Sequence, residues 1–587
     1  MSELTKKQEH SRTQDVVICG GGMSGLLLAR QLRRELPDLS VTVIERSTRP
    51  LPDACHKVGE SSVELGSQYL ERLGLLDYLL EKHIIKLGLR FFPGGGTQPL
   101  AERTEIGPSA EPIVRSFQLD RGRFETDLRG FIEEDGATLI EGGRVTSIEL
   151  SEEEDHTLTY ELDGAAHELR AHWVIDAMGR AAFLRRKLKS TRGLQHSANA
   201  GWFRVSGKVD INDMVPASET EWHGRAKGDE RWRSTNHFMG VGYWAWVIPL
   251  STGNTSIGLV VHDNVHGHKC ISSYESMMAF LEEHEPHLAK LLEGQQPNDY
   301  HALRNYSNSV GRAWSGERWA MVGEAGAFVD PLYSPGNDFI ALANCFTTEL
   351  LRIDGAGGDI ATKAQQLNGH YRGMVIGAVQ LFRRAAPIYG HPSAMATKIF
   401  WDNFSYWSYT CQFYQQDLCR LSSEEHMPFG VIGQRLLVLG DQMQGLLTAW
   451  ADLAPEGQQA KFVGAPHFPS VLIDAHIQVG EKMTTPELLD YLTMRLAQAE
   501  EMAGEIVLRV VQILGPDKGR EALERAKFSV WGIKIDRERI EAESRIGLSR
   551  RKSMSVIARD TERTLGKIPK HPQAEEAREL LVQAISS

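Results

Sequence analysis

The run Gly20-Gly21-Gly22-Met23-Ser24-Gly25 carries a G-x-G-x-x-G spacing, and Glu45 lies 20 residues beyond Gly25. Two glycines at such a turn let the backbone approach a pyrophosphate, and the third lets helix and strand pack closely. The helix N-terminus that follows stabilises the negative charge. An acidic side chain ending the next strand accepts hydrogen bonds from a ribose with free hydroxyls, which favours FAD or NAD over NADP. Gly20, Gly22, Met23, Ser24, Gly25 and Glu45 are therefore expected to bind an adenine dinucleotide. Three other segments could do chemistry: Lys86 within Ile85-Lys86-Leu87-Gly88-Leu89-Arg90-Phe91, the pair Trp244 and Trp246, and Phe328 to Gly336. Each has a plain alternative when taken singly. Tryptophans at period two pack one strand face, Lys86 and Arg90 on a strand's polar face are solvated, and a proline-glycine segment is a turn into a helix.

These residues need a particular set of elements to position them. Asp15 to Cys19 reads as a buried strand, Leu26-Leu27-Leu28-Ala29 opens a helix ending near Glu35, and Leu39 to Ile44 is the second strand. Helical spacing runs from Ser61 to Leu80, and Ile84 to Phe92 alternates as one strand. A helix near Arg123 to Glu134 is surrounded by short strands up to Ile175, and Gly201 to Val261 predicts a separate aromatic-rich sheet over a ligand pocket. Arg318 to Val322 is a late return strand, Pro335 to Leu351 a helix behind it, and the pattern past Gly355-Ala356-Gly357-Gly358 is mostly helical. The aromatic stripe Trp401, Phe404, Tyr406, Trp407, Tyr409, Phe413 and Tyr414 is either core or a pocket wall.

The chain has 587 residues, 41% hydrophobic and 24% charged, with a net charge of -12. That length calls for more than one core. The acidic balance argues against a general nucleic-acid binder, which needs a basic surface. Six scattered cysteines (Cys19, Cys55, Cys270, Cys345, Cys411, Cys419) without a CxxC pair suggest a reduced, cytoplasmic protein with no metal site. The first residues lack an apolar signal-peptide core, and no apolar run approaches the roughly 18 residues of a membrane span.

Val174-Ile175-Asp176-Ala177-Met178-Gly179-Arg180 resembles the second motif of the glutathione-reductase-type FAD enzymes, and Gly323-Glu324-Ala325-Gly326 resembles their third. The resemblance implies an α/β glutathione-reductase-type FAD-binding fold with a substrate-side β-sheet and a C-terminal, mostly helical extension. The flavin and substrate core is expected at 1–354 and the helical region at 355–587. It also implies FAD, with Asp176, Gly179 and Glu324 among the cofactor contacts; the family's usual Asp is a Glu at 324. No second G-x-G-x-x-G follows a strand, so a built-in NADH domain is not expected.

A narrower resemblance is to the flavin-dependent halogenases, the tryptophan-halogenase-like group of FAD-dependent monooxygenases. It is carried by Trp244-Ala245-Trp246-Val247-Ile248-Pro249 (WxWxIP), by Phe328-Val329-Asp330-Pro331-Leu332-Tyr333-Ser334-Pro335-Gly336 (FxxPxxSxG), and by Lys86 downstream of Gly59-Glu60-Ser61. The resemblance adds Glu60, Arg123 and Pro331 to the cofactor contacts, puts Ser334, Pro335, Gly336 and Asn337 beside halide and flavin, and makes Trp244 and Trp246 a barrier between substrate and flavin. In the family, FADH2 and O2 convert bound chloride or bromide into hypohalous acid, and a catalytic lysine, here Lys86, guides it by hydrogen bonding or as a haloamine. A separate NADH-dependent flavin reductase is the implied partner. The Glu that tryptophan-specific members carry just before the motif serine is replaced here by Leu332 and Tyr333, and Pro335 and Asn337 replace the usual small residues. The substrate implied is a phenol- or pyrrole-type aromatic, free or on an acyl carrier protein. An FAD hydroxylase of the same fold and a non-catalytic carrier are the competing readings.

Overall fold

The computed structural model describes residues 13–52, 57, 59–457, 459–464, 469–527 and 555–567, and Cys55 lies outside them. Strand β1 (Gln14–Cys19) pairs in parallel with β2 (Val41–Glu45) and with the long β3 (Ala165–Asp176), placing Ile18 opposite Val43 and Ile175. Val16 to Cys19 are fully buried, as a continuous apolar run must be when a parallel sheet is covered on both faces. Thr138–Glu141 extends this sheet beside β2, and Trp319–Met321 joins β3 in parallel. Helix α1 (Met23–Glu35) connects β1 to β2 and begins three residues before Leu26, so Met23 and Ser24 lie in its first turn.

A second sheet of eight strands runs in the order His301–Leu303, Ala198–Ser206, Asn254–His262, β4 (Tyr243–Pro249), Thr235–Gly240, Leu89–Phe92, Glu105–Ile106 and Phe462–Val463. The aromatic-rich sheet expected over 201–261 thus exists, and it recruits strands from both ends of the chain.

Two expected elements are divided. The helix over Ser61 to Leu80 is α2 (Glu64–Arg72) plus Leu76–Lys82, separated at Gly74, whose φ of +72° ends α2. The single strand over Ile84 to Phe92 breaks at Gly88, whose φ is +62°. Ile84–Ile85 pairs with Phe117–Gln118, Leu89–Phe92 joins the second sheet, and between them Lys86 N–H donates to Ser116 O and Leu87 N–H to Arg233 O. Lys86 and Arg90 are consequently buried, not on a solvated strand face. Arg90 pairs with Glu105.

Helix α3 (Gly336–Gly355) opens on Pro335 and leads into helices Ile360–Phe382, α4 (Pro392–Ser405), Ser423–Leu453 and Thr485–Ala526. One hydrophobic cluster runs from Val16 through Trp401 to Leu565, so the helices share the core of the flavin fold. Between α4 and Cys411–Gln415 the chain makes a single π-helical turn, Tyr406–Thr410, a geometry that recurs at functional sites. No helix among the described residues is long and apolar enough to cross a membrane.

Candidate active site

The glycine turn is fitted to a phosphate. A Cβ on Gly20 would stand 2.5 Å from Ala177 O, one on Gly21 2.6 Å from the Glu45 Cβ, and one on Gly25 2.1 Å from Gly20 O. Gly22 differs: its Cβ would meet only Lys57 Nζ, at 3.9 Å. The space before α1 is therefore open while the packing behind it is tight. Gly22 is the N-cap of α1 and supplies no side-chain cap, and the buried Ser24 Oγ has no hydrogen-bond partner. Free amides and a free hydroxyl at a helix N-terminus suit a pyrophosphate. Glu45 accepts from Gly21 N–H at 2.7 Å and from Ser47 N–H and Oγ at 2.9 and 2.7 Å, which fixes its carboxylate at the end of β2. These residues fit an FAD ADP moiety.

Beyond the loop lie two chambers. The first, about 500 Å3, is bounded by Glu60, Ser61, His237, Trp244, Trp246, Pro331, Ser334 and Gly336, among others. The second, about 930 Å3, has Lys86, Glu64, Asp338, Tyr406, His476 and Asn403 on its polar wall, with Val63, Leu89, Phe91, Leu381, Phe382 and Ile399 opposite. Residues touching across the boundary form a thin partition. Phe91 of the second chamber stacks on His237 of the first, with centroids 4.7 Å apart. Lys86 Nζ, on the second chamber, donates to Ser61 Oγ, on the first, at 2.8 Å and to Ser62 O at 2.8 Å. Ser334 faces one side and Tyr333 and Pro335 the other. Trp244 and Trp246, both on β4, line the first chamber with ring centroids 5.7 Å apart.

Burial lowers the Lys86 pKa to about 7, against the opposing pull of Glu64 and Asp338. Asp338, in the first turn of α3, is pushed up to about 7 by burial although Tyr406 OH and Gly66 N–H donate to it at 2.8 and 2.9 Å. An ammonium has three N–H donors and two are used here, leaving one for a guest.

The motif turn itself is strained. Tyr333 and Ser334 adopt φ of +68° and +57°, each costing about 1–3 kcal/mol for a residue with a side chain. Ser334 N–H donates to Pro331 O, and Tyr333 OH donates at 2.9 Å to Asp402 on α4. Asp402 also pairs with the buried Lys398 at 2.8 Å and accepts from Gln444 at 2.8 Å. The helical region thus pins the turn that divides the chambers.

Other expected cofactor residues hold partners within the chain. Arg123 Nη1 hydrogen-bonds Lys82 O and Ser251 Oγ at 3.5 and 3.4 Å and lines neither chamber, whereas Arg121, on another face of the helix, reaches Gly59 O at 3.5 Å. Asp176 accepts from the backbone N–H groups of Met178 at 3.0 Å and Leu184 at 2.7 Å, which holds the turn after β3. Glu60 borders the first chamber, but its carboxylate is tied to Arg204 at 2.6 Å. Glu324 follows Gly323, whose Cβ would stand 2.9 Å from Ser24; desolvation raises the Glu324 pKa, and Arg180, Arg121, Arg185 and Lys57 oppose the shift. Gly179 has φ +56° with nothing near its Cβ, Pro331 and Gly336 border the first chamber, Pro335 the second, and Asn337 reaches Ser61 O at 3.5 Å. Sequence reasoning missed Asp338, Glu64, Asp402 and His476. His476 stacks on Trp407 at 4.3 Å, and of the four only Asp338 carried a signal, its nearness to Ser334.

The family model described as FAD binding domain matches residues 13–256. The chain is 28% identical over 446 residues to the flavin-dependent halogenase chlA of Dictyostelium discoideum, covering 70% of this chain and 72% of that protein. It is 23% identical over 480 residues to a 1H-pyrrole-2-carbonyl-[peptidyl-carrier protein] chlorinase of Pseudomonas fluorescens, covering 78% and 98%. Among solved structures, halogenase PltM in complex with phloroglucinol and FAD shares the fold, with TM-score 0.61 and 15% identity over 83% of this chain and 96% of that one. With the glycine turn, the two tryptophans and the strained serine turn in place, the chain carries an FAD binding domain and is similar to the flavin-dependent halogenases in sequence and in fold.

Proposed function

We propose that the protein halogenates an electron-rich aromatic of phenol or pyrrole type at Lys86, using FADH2, O2 and chloride or bromide. The observation that carries this is the placement of Lys86 in a thin partition between two chambers, hydrogen-bonded to one and lining the other. Bound reduced with its ring end in the first chamber, the cofactor would give two electrons to O2, letting one oxygen atom oxidise the halide to hypohalous acid while the other leaves as water. Amides at the start of α3, near Ser334 to Asn337, are suited to the halide. The third N–H of the Lys86 ammonium holds the hypohalous acid by its oxygen and protonates that oxygen as the halogen leaves for a ring carbon. An acid whose pKa lies near the working pH is best matched to this task. Trp244, Trp246 and the Phe91–His237 stack keep the aromatic in the second chamber and away from hydroxylation at the flavin.

The apolar side of the second chamber, Val63, Leu89, Phe91, Leu381, Phe382 and Ile399, suits a small aromatic ring. The Pseudomonas relative's name makes a carrier-bound pyrrole the other substrate form to test. A separate NADH-dependent reductase in the cytoplasm would supply FADH2, a setting that fits five free thiols among the described residues. The test is a panel of phenols, indoles and free and carrier-bound pyrroles with a generic flavin reductase, NADH, FAD and halide. A halogen isotope pattern in the product is expected. Hydroxylated product without halogen overturns the proposal.

A further inference from the structure

The motif Glu that precedes the serine in tryptophan-specific halogenases has no counterpart here, yet the second chamber contains a carboxylate four positions after Ser334. Asp338 projects from the first turn of α3 into the chamber that Lys86 lines. One carboxylate oxygen accepts from Gly66 N–H of α2 at 2.9 Å, and the other from Tyr406 OH of the π-helical turn at 2.8 Å. Each oxygen keeps a second acceptor position. The charged and titratable groups facing Asp338 are Glu64 on α2, Lys86 on the 86–88 turn, and Tyr406 and Cys411 on the segment after α4. His476 stands behind Glu64 at 3.5 Å. Lys86 is the one cation in this set, so the pair is an acid and a base on one cavity wall.

We infer that Asp338 is a second catalytic residue, the base that takes the hydroxyl proton of a phenolic substrate while Lys86 protonates the departing oxygen. The inference rests on the phenol halogenation proposed above. As the ring carbon bonds the halogen of the hypohalous acid, the halogen–oxygen bond breaks and its electron pair stays on oxygen. Lys86 gives that oxygen a proton, releasing water, and Asp338 takes the proton of the phenol hydroxyl. The resulting halogenated dienone regains aromaticity when neutral Lys86 removes the ring proton and Asp338 returns its proton to the carbonyl oxygen. The sum is phenol plus hypohalous acid giving halophenol plus water, with both side chains restored. A substrate already ionised skips Asp338 at both stages.

That difference is the test. Rates of halogenation are compared for wild type and Asp338→Asn on ordinary phenols (hydroxyl pKa about 10) and on acidic phenols ionised at the assay pH. The amide keeps an oxygen for Gly66 N–H and a group for Tyr406, so a purely structural role survives the change. A general base contributes about 100-fold or more, so the variant should lose that factor on ordinary phenols and only a few-fold on ionised ones. An equal loss on both classes, or no loss, overturns the inference. Should that variant fail to fold, Tyr406→Phe serves. Losing its hydrogen bond raises the Asp338 pKa, so the acid limb of the rate–pH profile moves to higher pH on ordinary phenols and stays put on ionised ones. Parallel movement on both, or movement on neither, overturns it. Wild type that halogenates pyrroles but no phenol refutes Asp338 as phenol base while leaving halogenation standing, and wild type that halogenates nothing removes both.

Discussion

Replacing Lys86 by methionine should give a protein that cannot halogenate and is more stable than the original. Lys86 ionises near 7 when folded against 10.5 as a free side chain. At pH 7 the unfolded chain therefore holds a proton that the folded chain holds only half the time, a penalty of roughly 4 kcal/mol on folding. Methionine removes that penalty and nearly conserves volume, but strands the Ser62 carbonyl that Lys86 Nζ now serves, while Ser61 Oγ keeps Thr235 Oγ1 at 3.0 Å. An orphaned buried polar group costs about 1–3 kcal/mol. The net is a gain of about 1–3 kcal/mol at pH 7, readable as a melting temperature higher by a few degrees. The sign has a pH signature. Because the folded pKa is depressed, wild type gains stability as pH rises from 7 toward 10, and its deficit to the variant should shrink over that window. Halogenation, followed by isotope pattern, should fall at least about 100-fold with the proton donor gone, while oxidation of FADH2 continues. A less stable variant, a stability gap that does not close with pH, or substantial residual halogenation would refute this account of Lys86.

Gly25→Ala should abolish folding or FAD binding, since its Cβ would overlap Gly20 O, whereas Gly22→Ala should fold normally and lose FAD affinity by fluorescence titration. Arg121→Ala should weaken FAD binding and Arg123→Ala should leave it unchanged in the same titration. Asp402→Asn leaves Lys398 buried without its counter-charge and should cost about 3–5 kcal/mol in chemical denaturation. The rate–pH profile on ordinary phenols should be bell-shaped about pH 7, because Lys86 must be protonated and Asp338 ionised, and both titrate near 7. A profile flat from pH 6 to 8 would count against that pairing.

The dinucleotide loop is legible in the sequence because its chemistry is local: the glycines, the helix start and Glu45 all lie within one strand–helix–strand unit. The two tryptophans are legible for a similar reason, since period two places both on one face of β4. The strand expected over 84–92 misled because Ile85, Leu87, Leu89 and Phe91 alternate without interruption; the left-handed Gly88 decides the matter, and glycine inside a strand pattern was the available sign. Arg121 and Arg123 differ only in helix face, which depends on what packs beside Gly59. Asp338, Asp402, Tyr406 and His476 reach one chamber from α3, α4, the π-helical turn and a later helix. Their convergence comes from tertiary packing, and nothing in their spacing encodes it.

The edge of the second sheet sets an order of events for the growing chain. Glu105–Ile106 takes Phe462–Val463 as its outer neighbour, a parallel partner made some 360 residues later. At about 5–20 residues per second, that edge emerges roughly 20–70 s before the strand that covers it. His476, on the wall of the second chamber, comes later still. During synthesis the glycine turn and β1 to β2 can therefore assemble early, while the reaction chamber stays open and its sheet edge stays a template for wrong partners. Chaperone occupancy of nascent chains ending between residues 110 and 460 is where that interval would be visible.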